Sequence, residues 1–127
     1  MYKAVFFDMD GVLVNSFEAW LLLVNATAEY FGHPSVGREQ FMKLYGQPTI
    51  RDIHEFFPGE SVVDIETFYQ ERFGSYEHHV VAGDGAQEVI LELRALGIAT
   101  AVTTNTPSGI AREILVKLSL ATDIIVG

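Results

Sequence analysis

The feature that most constrains this chain is its opening, Tyr2-Lys3-Ala4-Val5-Phe6-Phe7-Asp8-Met9-Asp10-Gly11-Val12-Leu13-Val14-Asn15-Ser16. An apolar run stops abruptly at two carboxylates spaced one residue apart and followed by glycine. Such a run reads as a buried parallel strand, because parallel strands are covered on both faces and need not alternate. Ligands of open α/β sheets bind at the carboxyl ends of their strands, where these acids stand. Asp8 and Asp10 leave an extended chain on the same side unless the turn re-aims one of them. Two like charges so placed need a cation, a shared proton or a chemical task. Gly11 permits the backbone angles that the turn requires.

The rest of the pattern predicts alternating helices and strands. Ser16 can cap a helix from Phe17, with Trp20, Leu21, Val24, Ala28 and Phe31 at helical spacing and Gly32 at its end. Further helices are expected over Val36–Tyr45, from Pro48 to just before Pro58-Gly59, and over Ser61–His78. Their aromatic residues, Trp20 among them, read as the core of a small bundle. The α/β pattern resumes near Val80-Val81-Ala82-Gly83. Asp84 and Gln87 have capping-box spacing, ahead of a helix that would bury Val89, Ile90, Leu93 and Leu96 and end at Gly97. Ile98–Thr104 reads as a second buried strand. Thr106-Pro107 opens a helix with Ile110, Ile114, Leu115 and Leu118 on one stripe, and Asp123–Val126 reads as a third strand. The layout is α/β, a doubly wound parallel (Rossmann-like) core in two segments, residues 1–14 and 81–127, interrupted by a helical domain over 15–80.

The 127 residues suit one domain or a small core with an insertion, and an apolar fraction of 49% is ordinary for a globular protein. No apolar run approaches the roughly 20 residues of a membrane span. The opening leads straight into the acidic motif, leaving no room for a signal peptide. Absence of cysteine removes disulfides and thiolate metal sites and fits a cytoplasmic protein. A net charge of −9 argues against nucleic acid and anionic membranes as partners. It also means that any anion site must be assembled locally, from backbone amides, a divalent cation and a few basic side chains.

Asp8, Asp10, Gly11, Leu13, Asn15 and Ser16 fill the pattern D-x-D-G-x-L-x-(D/N)-S after an apolar strand, and so resemble the first motif of the haloacid dehalogenase-like (HAD) superfamily. The helical insertion resembles a C1-type cap, which in that family closes over the active site and selects substrate. Ala101-Val102-Thr103-Thr104-Asn105-Thr106-Pro107 is similar to the second motif of phosphoglycolate phosphatase-like members, with Thr104 as the matching residue and Thr103 as the register alternative. A hydroxyl at a strand end beside a helix N-terminus also suits an anion on physical grounds.

The resemblance implies a Mg²⁺-dependent phosphohydrolase of small phosphorylated metabolites. In it Asp8 is the nucleophile that forms an aspartyl-phosphate, and Asp10 is the general acid and base. The Asp8 carboxylate and the Asp10 backbone carbonyl hold Mg²⁺ in that resemblance. Thr104, with the amides near Met9, Asp10 and Asn105, holds the phosphoryl oxygens. Arg51 lies where the caps of similar enzymes reach the substrate, although a solvated helix face explains it better. A β-phosphoglucomutase-like phosphosugar mutase shares both motifs, and a catalytically incomplete binding domain is the reading from another class.

The family pattern continues with a lysine and then an acidic motif that completes the metal site, and neither follows here. Lys117, the one lysine after Thr104, comes too early. The expected consequence is a C-terminally incomplete core whose first strand, Lys3–Phe7, forms an exposed apolar edge open to self-association or to a complementing C-terminal segment. Loss of the missing groups is expected to cost about 3–4 kcal/mol of transition-state stabilisation each. His78-His79 suggests a metal pair, but adjacent residues point apart, so a partly exposed connection is the simpler expectation.

Overall fold

The computed structural model describes residues 4–120 and 122–126. In chain order its elements are β1 (Ala4–Asp8), β2 (Val14–Asn15), α1 (Phe17–Phe31), α2 (Arg38–Met42), α3 (Thr49–Phe56), α4 (Val62–Arg72), β3 (Val81–Ala82), α5 (Ala86–Ala95), β4 (Ala99–Thr103), α6 (Ser108–Lys117) and β5 (Ile124–Val126). They divide into two compact units. One joins the segment ending at Ser16 to the segment beginning at Val81, and the other is Phe17–Val80.

In the first unit β1, β4 and β5 form a parallel sheet in the order β1-β4-β5. The middle strand carries the core: Thr100, Ala101 and Val102 are buried, and β1 and β5 flank them. β1 is not buried on both faces as its apolar run suggests. It sits at the sheet edge with exposed and half-buried residues alternating, and Phe6 is 65% exposed. Among the described residues β4 is its one sheet neighbour, so the expected free edge is present over Ala4–Phe7. Lys3 and Tyr2 lie outside the described residues.

The stretch near Val80–Gly83 does not join the parallel sheet. β3 pairs antiparallel with β2, making a separate two-stranded ribbon. The ribbon explains Gly83. Its N–H donates to the Leu13 carbonyl at 2.7 Å, and a Cβ at that position would lie 2.5 Å from the Val12 carbonyl oxygen. Only a residue without a side chain allows the two segments so close.

The capping box at Asp84 and Gln87 does not form. The N-cap of α5 is Gly85, and no side chain bonds to the first turn. This helix also buries less than its pattern promises. Ile90 is buried and Leu93 half-buried, whereas Val89 and Leu96 are exposed at 43% and 68%. A three-stranded sheet offers only a narrow surface for the apolar stripe to cover. α6 follows expectation more closely, with Pro107 at its N-cap and Ile110, Ala111, Ile114 and Leu115 buried.

The second unit is helical around an aromatic core. Trp20 of α1 meets Tyr69 edge-on at 5.2 Å between ring centroids and lies 5.3 Å from Phe73. Phe41, Phe56, Phe57, Phe68 and Phe73 are also buried. Two helices are shorter than their patterns suggest. α2 covers five residues, after which turns closed by Leu44 N–H to Phe41 O and Gln47 N–H to Leu44 O lead to Gly46. α4 stops at Arg72, and the chain tightens into 3₁₀ turns over Phe73–Ser75 and Glu77–His79. Gly74 and Ser75 favour that change, since both are poor helix formers beside the residues they follow.

Two ionisable groups meet in the buried interior of this unit, Asp52 and Tyr69. Asp52 of α3 is 7% exposed, and its Oδ2 accepts a hydrogen bond from the Tyr69 hydroxyl at 2.9 Å. Burial pushes the Asp52 carboxyl up to about 7, against the opposing effect of the Tyr69 bond. Burial together with the neighbouring Asp52 holds the Tyr69 phenol well above its ordinary value, so Tyr69 remains the donor. Between the unfolded carboxyl value near 4 and the folded value about 7, the folded chain holds a proton that the unfolded chain releases. Stability from this group is therefore complete below pH ~4 and is lost as pH rises toward ~7, a difference of roughly 4 kcal/mol at most. Asp52→Asn, which keeps an acceptor for Tyr69 without the charge, is expected to be more stable than the parent at pH 8 by about 2–4 kcal/mol and equal to it near pH 4. Urea denaturation followed by fluorescence of Trp20, the single tryptophan, reads the difference; an equal effect at both pH values contradicts it.

Candidate active site

The parallel register between β1 and β4 places Asp8 directly beside Thr103 at the carboxyl ends of both strands. Paired residues of neighbouring strands project to the same face. Here the Thr103 hydroxyl donates to Asp8 Oδ1 at 3.0 Å. Asp8 is exposed to solvent. Among the described residues its Oδ2 accepts no hydrogen bond, so one oxygen of the carboxylate is held and the other is open.

Beyond Asp8 the chain leaves the ladder in a tight turn. The Met9 N–H makes one last ladder bond, to the Thr103 carbonyl at 3.1 Å. The Met9 carbonyl then collects the N–H groups of Val12, Leu13 and Val14, at 3.4, 3.0 and 3.0 Å. Gly11 sits at φ +83°, a conformation that most residues avoid, and its N–H bonds the Val14 carbonyl at 2.8 Å. The Met9 side chain is fully buried and anchors the turn. Its amide, expected to face a phosphoryl group, instead serves the strand ladder.

This turn delivers Asp10 into a cradle of hydroxyl groups. Ser16 donates to Asp10 Oδ1 at 2.8 Å, while Thr104 and Thr106 both donate to Oδ2 at 3.0 Å. The Thr106 N–H in turn donates to the Thr104 hydroxyl oxygen at 3.0 Å. The backbone of Thr104 is tied separately, by its N–H to the Val126 carbonyl at 2.9 Å. Ser16 and Thr106 are buried, and Thr104 and Asp10 half-buried. The two threonines that the sequence leaves as register alternatives thus have different partners, Thr103 serving Asp8 and Thr104 serving Asp10.

Asp8, Asp10, Met9 and Thr104 therefore come together in the first unit, with Asn105 exposed in the loop that leads to α6. Arg51 is exposed on α3 in the second unit. Lys117 is exposed near the end of α6. His78 and His79 are exposed with their rings 4.1 Å apart. Among the described residues no group of three or more His, Cys, Asp or Glu side chains is placed to hold a metal. Mg²⁺ needs no such cage. It keeps several waters and binds through one or two carboxylates plus substrate oxygens. The Asp8 carboxylate and the Asp10 backbone carbonyl are donors of the hard oxygen type it takes, so the residues present fit part of its shell.

Sequence reasoning missed the cradle. Ser16 reads there as a helix cap and Thr106 as a helix opener. The signal that could have exposed Thr106 is its i, i+2 spacing from Thr104 in a non-helical stretch, which puts both hydroxyls on one side of the chain.

Residues 5–127 match the model of the haloacid dehalogenase-like hydrolases. The chain belongs to that family. The phosphoglycolate phosphatase of Xylella fastidiosa is 27% identical over 117 residues, which cover 89% of this chain and 51% of that protein. The N-acetylmuramic acid 6-phosphate phosphatase of Pseudomonas aeruginosa is 26% identical over 125 residues, 94% of this chain and 55% of that protein. Among solved structures, CbbY of Rhodobacter sphaeroides in complex with phosphate superposes with a TM-score of 0.80 at 23% identity, over 98% of this chain and 63% of its own. The fold is thus that of the haloacid dehalogenase-like proteins, and the chain spans about half the length of the curated relatives it matches. No helix among the described residues is long and apolar enough to cross a membrane.

Proposed function

We propose that this haloacid dehalogenase-like site is that of a Mg²⁺-dependent phosphohydrolase, acting on a small phosphorylated metabolite in the manner of phosphoglycolate phosphatases. The observation that carries the reading is the asymmetry of the two carboxylates. Asp8 is exposed with one oxygen free of protein bonds, whereas Asp10 is fastened at both oxygens by hydroxyl donors. An open carboxylate suits attack, and a fastened one suits proton transfer at a fixed place.

In this reading Asp8 Oδ2 attacks phosphorus in line with the leaving oxygen. The P–O bond to the leaving group breaks as the aspartyl-phosphate forms, and Asp10, carrying the proton it took from water in the previous turnover, gives that proton to the departing oxygen. Asp10 then takes a proton from the water that attacks the phosphoenzyme, which returns Asp8 and releases phosphate. The Thr104 hydroxyl and the Asn105 amide hold phosphoryl oxygens at the N-terminal end of α6, where the helix dipole favours negative charge. The Asp8 carboxylate and the Asp10 backbone carbonyl would hold Mg²⁺, which would supply charge neutralisation to the phosphoryl group. The helical unit corresponds to the cap of the family pattern, and Arg51, exposed on α3, is its candidate substrate contact.

The free edge of β1 belongs to the same proposal. An unpaired parallel edge with Phe6 exposed invites another strand, from a second copy or from a complementing C-terminal segment that brings the lysine and later acids of the family pattern. Sedimentation of the 127-residue chain alone is expected to show a species larger than one copy at high concentration. A monomer at all concentrations contradicts the edge assignment.

The catalytic reading is tested by Mg²⁺-dependent hydrolysis of an aryl phosphate. Slow turnover is expected, and Asp8→Asn is expected to abolish it, a loss of more than about a thousandfold where the parent rate permits. Turnover that survives in Asp8→Asn, or none in the folded parent, overturns it.

A further inference from the structure

The Thr104 hydroxyl has one proton, and in this structure that proton points at Asp10 Oδ2. Its oxygen is occupied as well, as the acceptor of the Thr106 N–H. Thr104 therefore cannot donate to a phosphoryl oxygen while it donates to Asp10. If Thr104 alone held Oδ2, engaging substrate would release that side of the general acid at the moment it is needed. The second donor removes the conflict, because the Thr106 hydroxyl reaches the same oxygen at the same 3.0 Å distance. Thr106 is buried and lies directly before the Pro107 N-cap of α6, so its backbone is fixed by the helix start.

We propose that Thr106 is a positioning residue for Asp10, retaining the carboxylate at Oδ2 while Thr104 turns its single proton from Asp10 to the phosphoryl group. This inference rests on the roles assigned above to Asp10 and Thr104. It divides the two threonines of the cradle by timing: Thr104 exchanges partners between the free and loaded site, and Thr106 does not. Ser16, on the other oxygen, leaves Oδ1 fixed throughout.

The test compares Thr106→Val, which keeps the shape and removes the donor, with Thr106→Ser, which keeps the donor. Two readouts are taken at one fixed pH: kcat and KM for an aryl phosphate, and the side-chain carboxyl carbon signal of Asp10 in protein labelled with ¹³C-aspartate. The Asp10 signal is assigned by its loss in Asp10→Asn. Thr106→Val is expected to lower kcat roughly 10- to 100-fold, the effect of losing a hydrogen bond to a charged group, with KM changed by less than about twofold. The Asp10 carboxyl signal is expected to shift in Thr106→Val, and Thr106→Ser to restore both the signal and most of kcat. A Thr106→Val enzyme with parental kcat overturns the inference and leaves the phosphatase reading standing. An unmoved Asp10 signal overturns it whatever the activity. If the parent hydrolyses nothing beyond Asp8→Asn, the phosphatase reading fails and the catalytic role of Thr106 fails with it.

Discussion

Everything at the site depends on the parallel pairing of β1 with β4. The register that sets Asp8 against Thr103 brings two strand ends, distant in sequence, to one line, and both chains turn away at that line. A slip of one residue would send each side chain to the opposite face and separate the carboxylate from its hydroxyl. The pairing is held from within by the buried centre of β4 and closed by the Met9 N–H bond to the Thr103 carbonyl. The turn at Gly11 can then curl back, because the Met9 side chain is buried beneath it and the Met9 carbonyl gathers three amides.

The two aspartates leave this frame in different states. The chain carries a strong negative charge, yet among the described residues the site collects hydroxyl donors rather than cations around Asp10. Hydroxyl donors stabilise a carboxylate without neutralising it, and they hold it in one orientation. Asp8 has one such donor and remains open to solvent. On the roles proposed for them, nucleophile and proton carrier differ in the number of hydrogen bonds that each carboxylate accepts.

Much of this was legible in the sequence, for reasons that are local. The D-x-D-G turn, the hydroxyl-rich end of β4 and the Thr106-Pro107 helix start each draw on a few neighbouring residues, and each formed where the pattern places it. Features that depend on tertiary surroundings were harder to read. The apolar run of β1 does not reveal how many strands will cover it, and α5 has an apolar stripe wider than the sheet beneath it. The Asp84–Gln87 spacing suggested a cap that Gly85 takes over one residue later. Asp52 shares the buried face of α3 with Thr49, Ile53 and Phe56, but an acid there gives no local signal of burial, and its Tyr69 partner lies on another helix. Thr106 was hidden for the same reason, since its hydroxyl matters only once β1 and β4 have brought Asp10 within reach.

The central claim is that Asp8 carries the phosphoryl group. The direct measurement is mass spectrometry of acid-quenched protein after brief exposure to an aryl phosphate and Mg²⁺. The account predicts a phosphoryl adduct on the peptide containing Asp8, removed by hydroxylamine as an acyl phosphate should be and absent in Asp8→Asn. Phosphate release from the parent chain with no adduct at Asp8, or an adduct on another residue, would contradict it.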